Sequence, residues 1–317
     1  MDKTKKKRKK GILLQFLEYG VVSALLFFSR ITPLTVIHAL SRLLGNIFYG
    51  VVKKRRVIAT ENVRHAFAGE KSEQEIQAIV RASFTSFFLT FLEIAKFRYI
   101  YRNPGALDDL RRSSPGLDEV LRKVKQIHDE SKGCLFVTPH IGNWELLPHV
   151  STRLGIPLVV VVRPLDNRYL ERLIFADRAE SGQLIIPKKN ALFMLQKTLQ
   201  QGKSIGMLPD QSTMQGISVE FFGRKATTTP VPAILAIMYQ RPIVIVACCR
   251  AREGKGFEGF VSDPIWPGNY ESEKAEIFRI TTEMTKNMET IIRQYPEQYL
   301  WMHNRWKTYK NKKEFLS

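Results

Sequence analysis

The sequence has few of the residues that mark several common classes of protein. Only three cysteines occur in 317 residues, and Cys248 and Cys249 are adjacent, so no disulfide framework is indicated. There is no His-Glu-x-x-His segment and no paired-cysteine motif, and we therefore expect no metal site and no cofactor. There is also no Gly-x-Ser-x-Gly segment, which argues against the nucleophile elbow of serine hydrolases. So few cysteines are typical of a reducing compartment.

Acidic residues are also scarce relative to basic ones. Asp and Glu number 30 against 49 Lys and Arg, which gives a net charge of +19 and a pI near 9.9. Such a charge predicts a polyanionic neighbour: nucleic acid, anionic lipid headgroups or a phosphorylated substrate. A hydrophobic content of 44% with 25% charged residues is typical of a folded globular chain.

The N-terminus combines a basic segment with two apolar stretches. The first ten residues include seven Lys or Arg, and residues 11–29 and 31–52 are largely apolar. Glu18, His38 and Arg42 make full membrane spans costly, so helices in the membrane interface or partly inserted are favoured. Two spanning helices and buried helices of a soluble core remain alternatives. We therefore divide the chain into a membrane-associating segment, residues 1–56, and a domain over residues 57–317.

The domain shows helical periodicity first and then an alternation of strands and helices. Ser72 and Glu75 form a capping-box pattern that predicts the start of a long helix over residues 72–97. Apolar strand-like runs occur at 133–138, 157–162, 184–186, 204–208, 243–249 and 257–262. Helical patterns lie near 115–131, 143–154, 167–181, 190–201, 230–240 and 273–294. This order predicts an α/β fold with a largely parallel or mixed sheet that helices cover on both faces.

The segment from Pro139 to Glu145 carries the strongest signal for chemistry. His140 and Glu145 are five residues apart, and five residues of helix would place them roughly 140° apart around the axis. They can meet only if His140 lies in a loop and Glu145 in the first turn of the next helix. Gly142 permits such a turn and Asn143 is a good N-cap residue. In that arrangement His140 can act as a general base while Glu145 fixes its tautomer.

A second pair with the same spacing exists at His65 and Glu70. No apolar strand precedes it, and it follows the basic cluster at residues 53–56. The strand, turn and helix around His140 therefore favour His140 over His65 as the catalytic histidine.

Further polar residues follow predicted strands or lie near the C-terminus. Arg163 ends the strand-like run of residues 159–162, and ligands of open α/β sheets gather at such strand ends. It can bind a phosphate or an oxyanion, or be a surface arginine. Asp210 and Gln211 follow the strand at 204–208 and open a long loop to residue 230; Asp210 is alternatively a cap. Arg305 belongs to a segment of interleaved aromatics and cations, which suits a membrane interface, an anionic ligand or base stacking.

Taken in order, these motifs resemble the late acyltransferases of lipid A biosynthesis, within the glycerophosphate-acyltransferase-like superfamily. The resemblance rests on the basic N-terminus and on blocks at 139–145, 163–167, 209–211, 221–227 and 301–307. The Gly-Asn-Trp-Glu motif at 142–145 is also similar to the corresponding motif of glycolipid acyltransferases that act on mannosylated phosphoinositides.

The resemblance implies a membrane-associated O-acyltransferase that uses acyl carrier protein, or coenzyme A, as thioester donor. The acceptor would be a hydroxyl of a lipid A precursor, reached at the cytoplasmic side of the inner membrane beside anionic lipid. His140 and Glu145 would be catalytic, without an acyl-enzyme. Substrate binding would involve Arg163, Asn143, Asp210, Gln211 and Arg305.

Two other functions remain open. The same fold can serve a different glycolipid or lysolipid acceptor. A non-enzymatic protein that binds membrane or nucleic acid would also use the charge of +19, although no nucleic-acid motif is present and we expect no nucleic-acid partner.

Overall fold

The computed structural model describes residues 11–100, 103, 105–162, 165–173, 184–187, 191–252, 256–307 and 309. Arg163 and most of the helix predicted near 167–181 lie outside the described residues. The described helices are α1 (Ile12–Ile31), α2 (Leu34–Val51), α3 (Lys53–Ala66), α4 (Glu73–Ile100), α5 (Ala106–Arg112), α6 (Leu117–Ser131), α7 (Leu146–Arg153), α8 (Ala191–Gln200), α9 (Val231–Tyr239) and α10 (Glu273–Gln294). The strands are β1 (Leu135–Val137), β2 (Leu158–Val162), β3 (Leu184–Pro187), β4 (Ser204–Met207), β5 (Ile217–Phe221), β6 (Arg224–Thr228), β7 (Ile243–Arg250) and β8 (Phe257–Val261).

Six of these strands form the central sheet, in the order β3-β2-β4-β1-β7-β8. The first five are parallel, and β8 pairs antiparallel with β7. The strands are short and strongly apolar because both faces of the sheet are buried. The predicted α/β fold with a largely parallel sheet is confirmed.

Helices cover each face of the sheet. On one face, alternate strand residues such as Leu135 and Ile205 pack with apolar residues of α8, α9 and α10. On the other face, Phe136 and Val160 belong to a core that continues onto α6 and α7. The carboxyl ends of the parallel strands are therefore the accessible edge at which a ligand can reach the sheet.

Helix α4 joins this domain to the N-terminal helices. It begins with the predicted capping box: the Ser72 backbone N–H donates to Glu75 Oε2 at 2.8 Å, and the Glu75 N–H donates to Ser72 Oγ at 3.3 Å. Helices α1 and α2 pack against α4 but leave most of their apolar side chains exposed, for example Leu13 at 86% and Leu17 at 66%. Both are long and apolar enough to cross a membrane by length and composition.

One expected loop has regular structure instead. The segment after Asp210 contains the antiparallel hairpin of β5 and β6, whereas the sequence predicted a long loop as far as residue 230. A tight turn at Phe222 and Gly223 connects the two strands, and both residues have positive φ angles. Phe222 is not a residue that normally marks such a turn, which is why the pattern was missed.

Candidate active site

The register of the central sheet brings two distant loops together. Strands β1 and β4 are parallel neighbours, with Val137 paired to Met207. The Thr138 N–H extends the pairing by donating to the Met207 carbonyl at 3.0 Å. His140 and Asp210 each lie three positions beyond the paired residues Val137 and Met207. Both loops leave the sheet in the same direction, so the two side chains meet.

His140 and Asp210 make two hydrogen bonds. Nδ1 of His140 lies 2.6 Å from Asp210 Oδ1, and the His140 backbone N–H donates to Asp210 Oδ2 at 2.9 Å. Burial acts to lower the pKa of His140, but the charge of Asp210, its hydrogen bond and the charge of Glu145 together raise this pKa above its ordinary value. Burial opposes ionisation of Asp210, yet the charge and hydrogen bonds of His140 keep the pKa of this carboxyl below its usual range.

The other ring nitrogen of His140 faces outward. With Nδ1–H donating to Asp210, Nε2 carries a lone pair and can accept a proton. The side-chain nitrogen of Gln211 lies 3.4 Å from Nε2. The side chain of His140 is 18% exposed, against 2% for Asp210. The arrangement therefore holds a partly exposed imidazole on a buried carboxylate, a geometry that suits general-base catalysis.

An apolar cavity of about 90 Å³ begins beside this base. Trp144 stacks edge-on against the His140 ring at 5.3 Å between centroids and also lines the cavity, together with Thr138 and Leu208. From there the cavity extends between the sheet and helices α6 and α7. Its deeper lining includes Phe136, Leu147, Leu158, Val160, Gly206 and Val246. Such a narrow apolar space suits a hydrocarbon chain.

Glu145 and Asn143 occupy different positions from those expected. Helix α7 begins at Leu146, so the N-cap residue is Glu145, and the prediction of Asn143 as N-cap is wrong. Asn143 is instead 1% exposed, and its side-chain nitrogen donates to Glu93 Oε2 at 2.9 Å. The charge-assisted bond from Nδ2 orients this amide toward Glu93, and Oδ1, the atom that would accept from a helix N–H in a cap, has no hydrogen-bond partner among the described residues. Glu145 acts on His140 through its charge.

A buried ion pair supports the loop that carries His140. The guanidinium of Arg250, at the end of β7, donates from Nε to both carboxylate oxygens of Glu93 at 3.1 and 3.0 Å. Its Nη2 also donates to Thr90 Oγ1 at 2.8 Å, and this hydroxyl donates to the Gly142 carbonyl at 2.8 Å. Glu93 and Thr90 belong to α4. The loop is therefore hydrogen-bonded on one side to α4, the helix against which α1 and α2 also pack.

Gly142 allows the tight turn that the sequence predicted. Its φ is +56°, and a Cβ atom there would lie 2.2 Å from the Cys248 carbonyl oxygen. The Asn143 N–H donates to that same carbonyl at 2.8 Å. Any larger residue would force the loop away from β7, so glycine is required both by conformation and by space.

The C-terminal segment contributes two buried residues near Asp210, Arg305 and Tyr299. Arg305 is 2% exposed, and it donates to the Thr227 carbonyl at 2.7 Å and to Thr228 Oγ1 at 2.5 Å. Its charge also lowers the pKa of Asp210. Tyr299 is buried, and burial followed by the charge of Asp210 raises its pKa well above the ordinary value. Arg305 thus lies behind the carboxylate rather than on the accessible surface.

The alternative pair, His65 and Glu70, is not brought together around a site. The ring of His65 packs edge-on against Trp306 with 4.9 Å between centroids, and burial lowers its pKa. Glu70 pairs with Arg293 at 2.9 Å on the surface. His65 thus makes a ring contact and Glu70 a surface ion pair, and His140 stays the predicted catalytic histidine.

The three cysteines are free and buried. Burial raises the pKa of the Cys134 and Cys248 thiols to about 12. Although Cys248 lines the cavity, its thiol stays protonated near neutral pH and is a poor nucleophile.

Sequence reasoning missed Glu93, Arg250 and Tyr299. Glu93 is a charged residue among the phenylalanines of α4. Because buried charges are almost always paired, this position could have indicated a buried ion pair. Nothing local identified its partner, because Arg250 is 157 positions away.

Comparison with known proteins gives a consistent family. A sequence profile described as "Bacterial lipid A biosynthesis acyltransferase" matches residues 4–308. The lipid A biosynthesis lauroyltransferase of Escherichia coli K12 is 26% identical over 283 residues, covering 87% of each chain. The lipid A biosynthesis palmitoleoyltransferase of the same organism is 24% identical over 87% of this chain and 86% of its own. A phosphatidylinositol mannoside acyltransferase of Mycolicibacterium smegmatis is 22% identical over 56% of this chain and 58% of its own.

Proposed function

Since this chain belongs to the bacterial lipid A biosynthesis acyltransferase family and is an O-acyltransferase, we propose that His140 is its general base. The substrate hydroxyl would be that of a lipid A precursor. The acyl donor would be an acyl carrier protein thioester, or alternatively acyl coenzyme A. The observation that carries the proposal is the His140–Asp210 pair at the mouth of an apolar cavity.

The reaction proceeds by direct attack in this proposal. Nε2 of His140 takes the proton of the acceptor hydroxyl as its oxygen attacks the thioester carbonyl. The tetrahedral intermediate then expels the thiolate of the carrier, which receives the proton from His140. Asp210 holds the productive tautomer and stabilises the imidazolium, and Glu145 adds further negative charge. Much of the acceleration comes from holding both substrates together.

The remaining predicted site residues take different parts. Gln211, beside Nε2, orients the acceptor hydroxyl, and Arg163 binds a phosphate or the developing oxyanion. Asn143 and Arg305 are buried, and we assign them to support of the loop and of Asp210 rather than to direct substrate contact. The cavity behind Trp144 receives the acyl chain, so that the thioester carbonyl stops beside His140.

The exposed apolar helices α1 and α2 support a site at the membrane. Their apolar side chains enter the lipid, and the basic residues near them contact anionic headgroups. Because thioester donors are cytosolic, the site faces the cytoplasm at the inner membrane. The free cysteines agree with that compartment.

The purified protein, assayed with a panel of acyl-carrier-protein thioesters and an underacylated lipid A precursor, tests the proposal. Mass spectrometry should detect the precursor gaining one acyl chain, and His140→Ala should not support this gain. Transfer from acyl coenzyme A but not from acyl carrier protein would revise the donor. Absence of transfer from every donor would refute the proposal.

The partial match to a phosphatidylinositol mannoside acyltransferase favours one alternative, a different glycolipid acceptor. Lipid mass spectrometry of a deletion strain separates the two. Loss of a secondary acyl chain from lipid A supports the main proposal, and loss from another glycolipid supports the alternative.

A further inference from the structure

A glycine lies in the middle of the sheet face that lines the cavity. Gly206 on β4 is paired in register with Val160 of β2 on one side and with Phe136 of β1 on the other. Phe136 is in turn paired with Val244 of β7. Bulky side chains therefore occupy this row of the sheet, except at Gly206.

Neither backbone conformation nor crowding accounts for this glycine. It lies within a regular strand, and its φ is not positive. A Cβ atom at Gly206 would meet Val160 Cγ2 at 3.4 Å and Leu158 Cδ2 at 3.5 Å, which is ordinary van der Waals contact. A glycine inside a strand weakens the strand. Where packing does not require the glycine, the position is often one that a ligand approaches closely.

Gly259, which also lines the cavity, shows the contrast. A Cβ atom there would lie 2.8 Å from Leu117 Cδ1 and 3.0 Å from Val120 Cγ1. The close packing of α6 on β8 therefore explains Gly259. Gly206 is therefore the lining glycine at which a Cβ atom would fit, and the absence of a side chain leaves that space to the cavity.

We infer that Gly206 determines the length of the acyl chain that the enzyme accepts. This inference rests on the proposed function, since it assumes that the cavity receives the donor chain. Gly206 lies two residues before Leu208, a lining residue just before the loop of Asp210, about 7 Å along the strand. A chain entering beside Trp144 reaches Gly206 before the register level of Leu158 and Ser204, about two residues deeper. The Leu158 side chain already extends back to 3.5 Å from a Cβ atom at position 206. A side chain at position 206 would block the deeper part.

Donor-selectivity assays with three variants test the inference. We expect Gly206→Ala to lower kcat/KM for the longest good donor by about tenfold or more relative to shorter donors, since one methylene in an apolar pocket changes selectivity by roughly 10- to 200-fold. Gly206→Val should shift the preference further toward short chains. Val160→Ala, which removes the methyl groups facing Gly206, should shift it toward longer chains.

The matched control is Ile205→Val, on the same strand but facing the opposite core. It should leave the order of donors unchanged. An unchanged order in both Gly206→Ala and Val160→Ala would overturn the inference while leaving acyl transfer intact. If the Gly206 variants do not fold, the result with Val160→Ala decides. If the wild-type protein transfers no chain from any donor, the proposed function fails first, and the inference with it.

Discussion

Nδ1 of His140 lies 2.6 Å from Oδ1 of Asp210, although 70 positions separate the two residues. The contact follows from the pairing of β1 with β4, which brings the two strand ends side by side. A second hydrogen bond, from the His140 backbone N–H, fixes the carboxylate against the loop. The imidazole is therefore held in one orientation before any substrate binds, which is what a general base requires.

Removing the imidazole should abolish most of the activity. We expect His140→Ala to lower kcat by roughly 10²- to 10⁴-fold, the usual contribution of a general base, while the protein still folds and unfolds cooperatively. The control is His65→Ala, which should keep turnover within a few-fold. An equally deep loss in His65→Ala would show that the wrong histidine was chosen.

Replacing Asp210 should change the pH dependence in a defined direction. Burial by itself lowers the pKa of His140, whereas Asp210 raises it by charge and hydrogen bonding. In Asp210→Asn the raising contributions are lost, so His140 becomes neutral at a lower pH. The rising limb of kcat/KM against pH should therefore move to lower pH, while the plateau falls because the tautomer is no longer fixed.

Glu145→Gln is the comparison for that profile. The charge of Glu145 contributes less than Asp210 to the raised pKa of His140. The rising limb of kcat/KM against pH should therefore move in the same direction, but by less. A larger displacement in Glu145→Gln than in Asp210→Asn would return the orienting role to Glu145, as the sequence first suggested.

A methyl group at Gly142 should disrupt the catalytic loop. Gly142→Ala brings Cβ to 2.2 Å from the Cys248 carbonyl oxygen, and we expect both loss of activity and a lower unfolding temperature. Gly69→Ala is the matched control, since Gly69 has a φ of +75° and open space around it. Its cost should be only the conformational one, about 1–2 kcal/mol, measured by chemical unfolding. Equal effects would mean that the contact with β7 is unimportant.

The buried ion pair should matter more than an exposed one. Glu93→Ala leaves Arg250 buried without its carboxylate partner and should lower the free energy of unfolding by roughly 3–5 kcal/mol. Glu70→Ala removes the surface partner of Arg293 and should cost at most about 1 kcal/mol. Denaturant titrations of both variants in detergent measure the difference. Similar small values for the two would contradict the assigned role of Glu93.

The exposed face of α1 should control membrane binding. Leu13→Ser and Leu17→Ser each remove an exposed apolar side chain, and burial of a leucine is worth about 1.5–3 kcal/mol. Each substitution should therefore weaken binding to anionic vesicles by roughly tenfold or more in sedimentation assays. Met238→Ser, an exposed apolar position on α9, serves as control and should bind normally. Unchanged binding in the α1 variants would place the membrane contact elsewhere.

The sequence by itself determined most of the local structure and singled out His140, which we propose as the base. The Ser72–Glu75 capping box, the apolar strands and the turn at Gly142 are properties of neighbouring residues, so their patterns were sufficient. The same holds for the two long apolar N-terminal helices, whose length and composition follow from neighbouring residues; their exposure to lipid stays a prediction.

The tertiary structure alone decided which groups surround that base. Strand order brings Asp210 to Nδ1 of His140, and a buried carboxylate on α4 turns Asn143 inward instead of leaving it as a helix cap. These contacts join residues far apart in the chain, and hydrogen-bond energy at a buried site depends on the partner that packing supplies. The room for a Cβ atom at Gly206 is decided in the same way, since it depends on the side chains of the neighbouring strand.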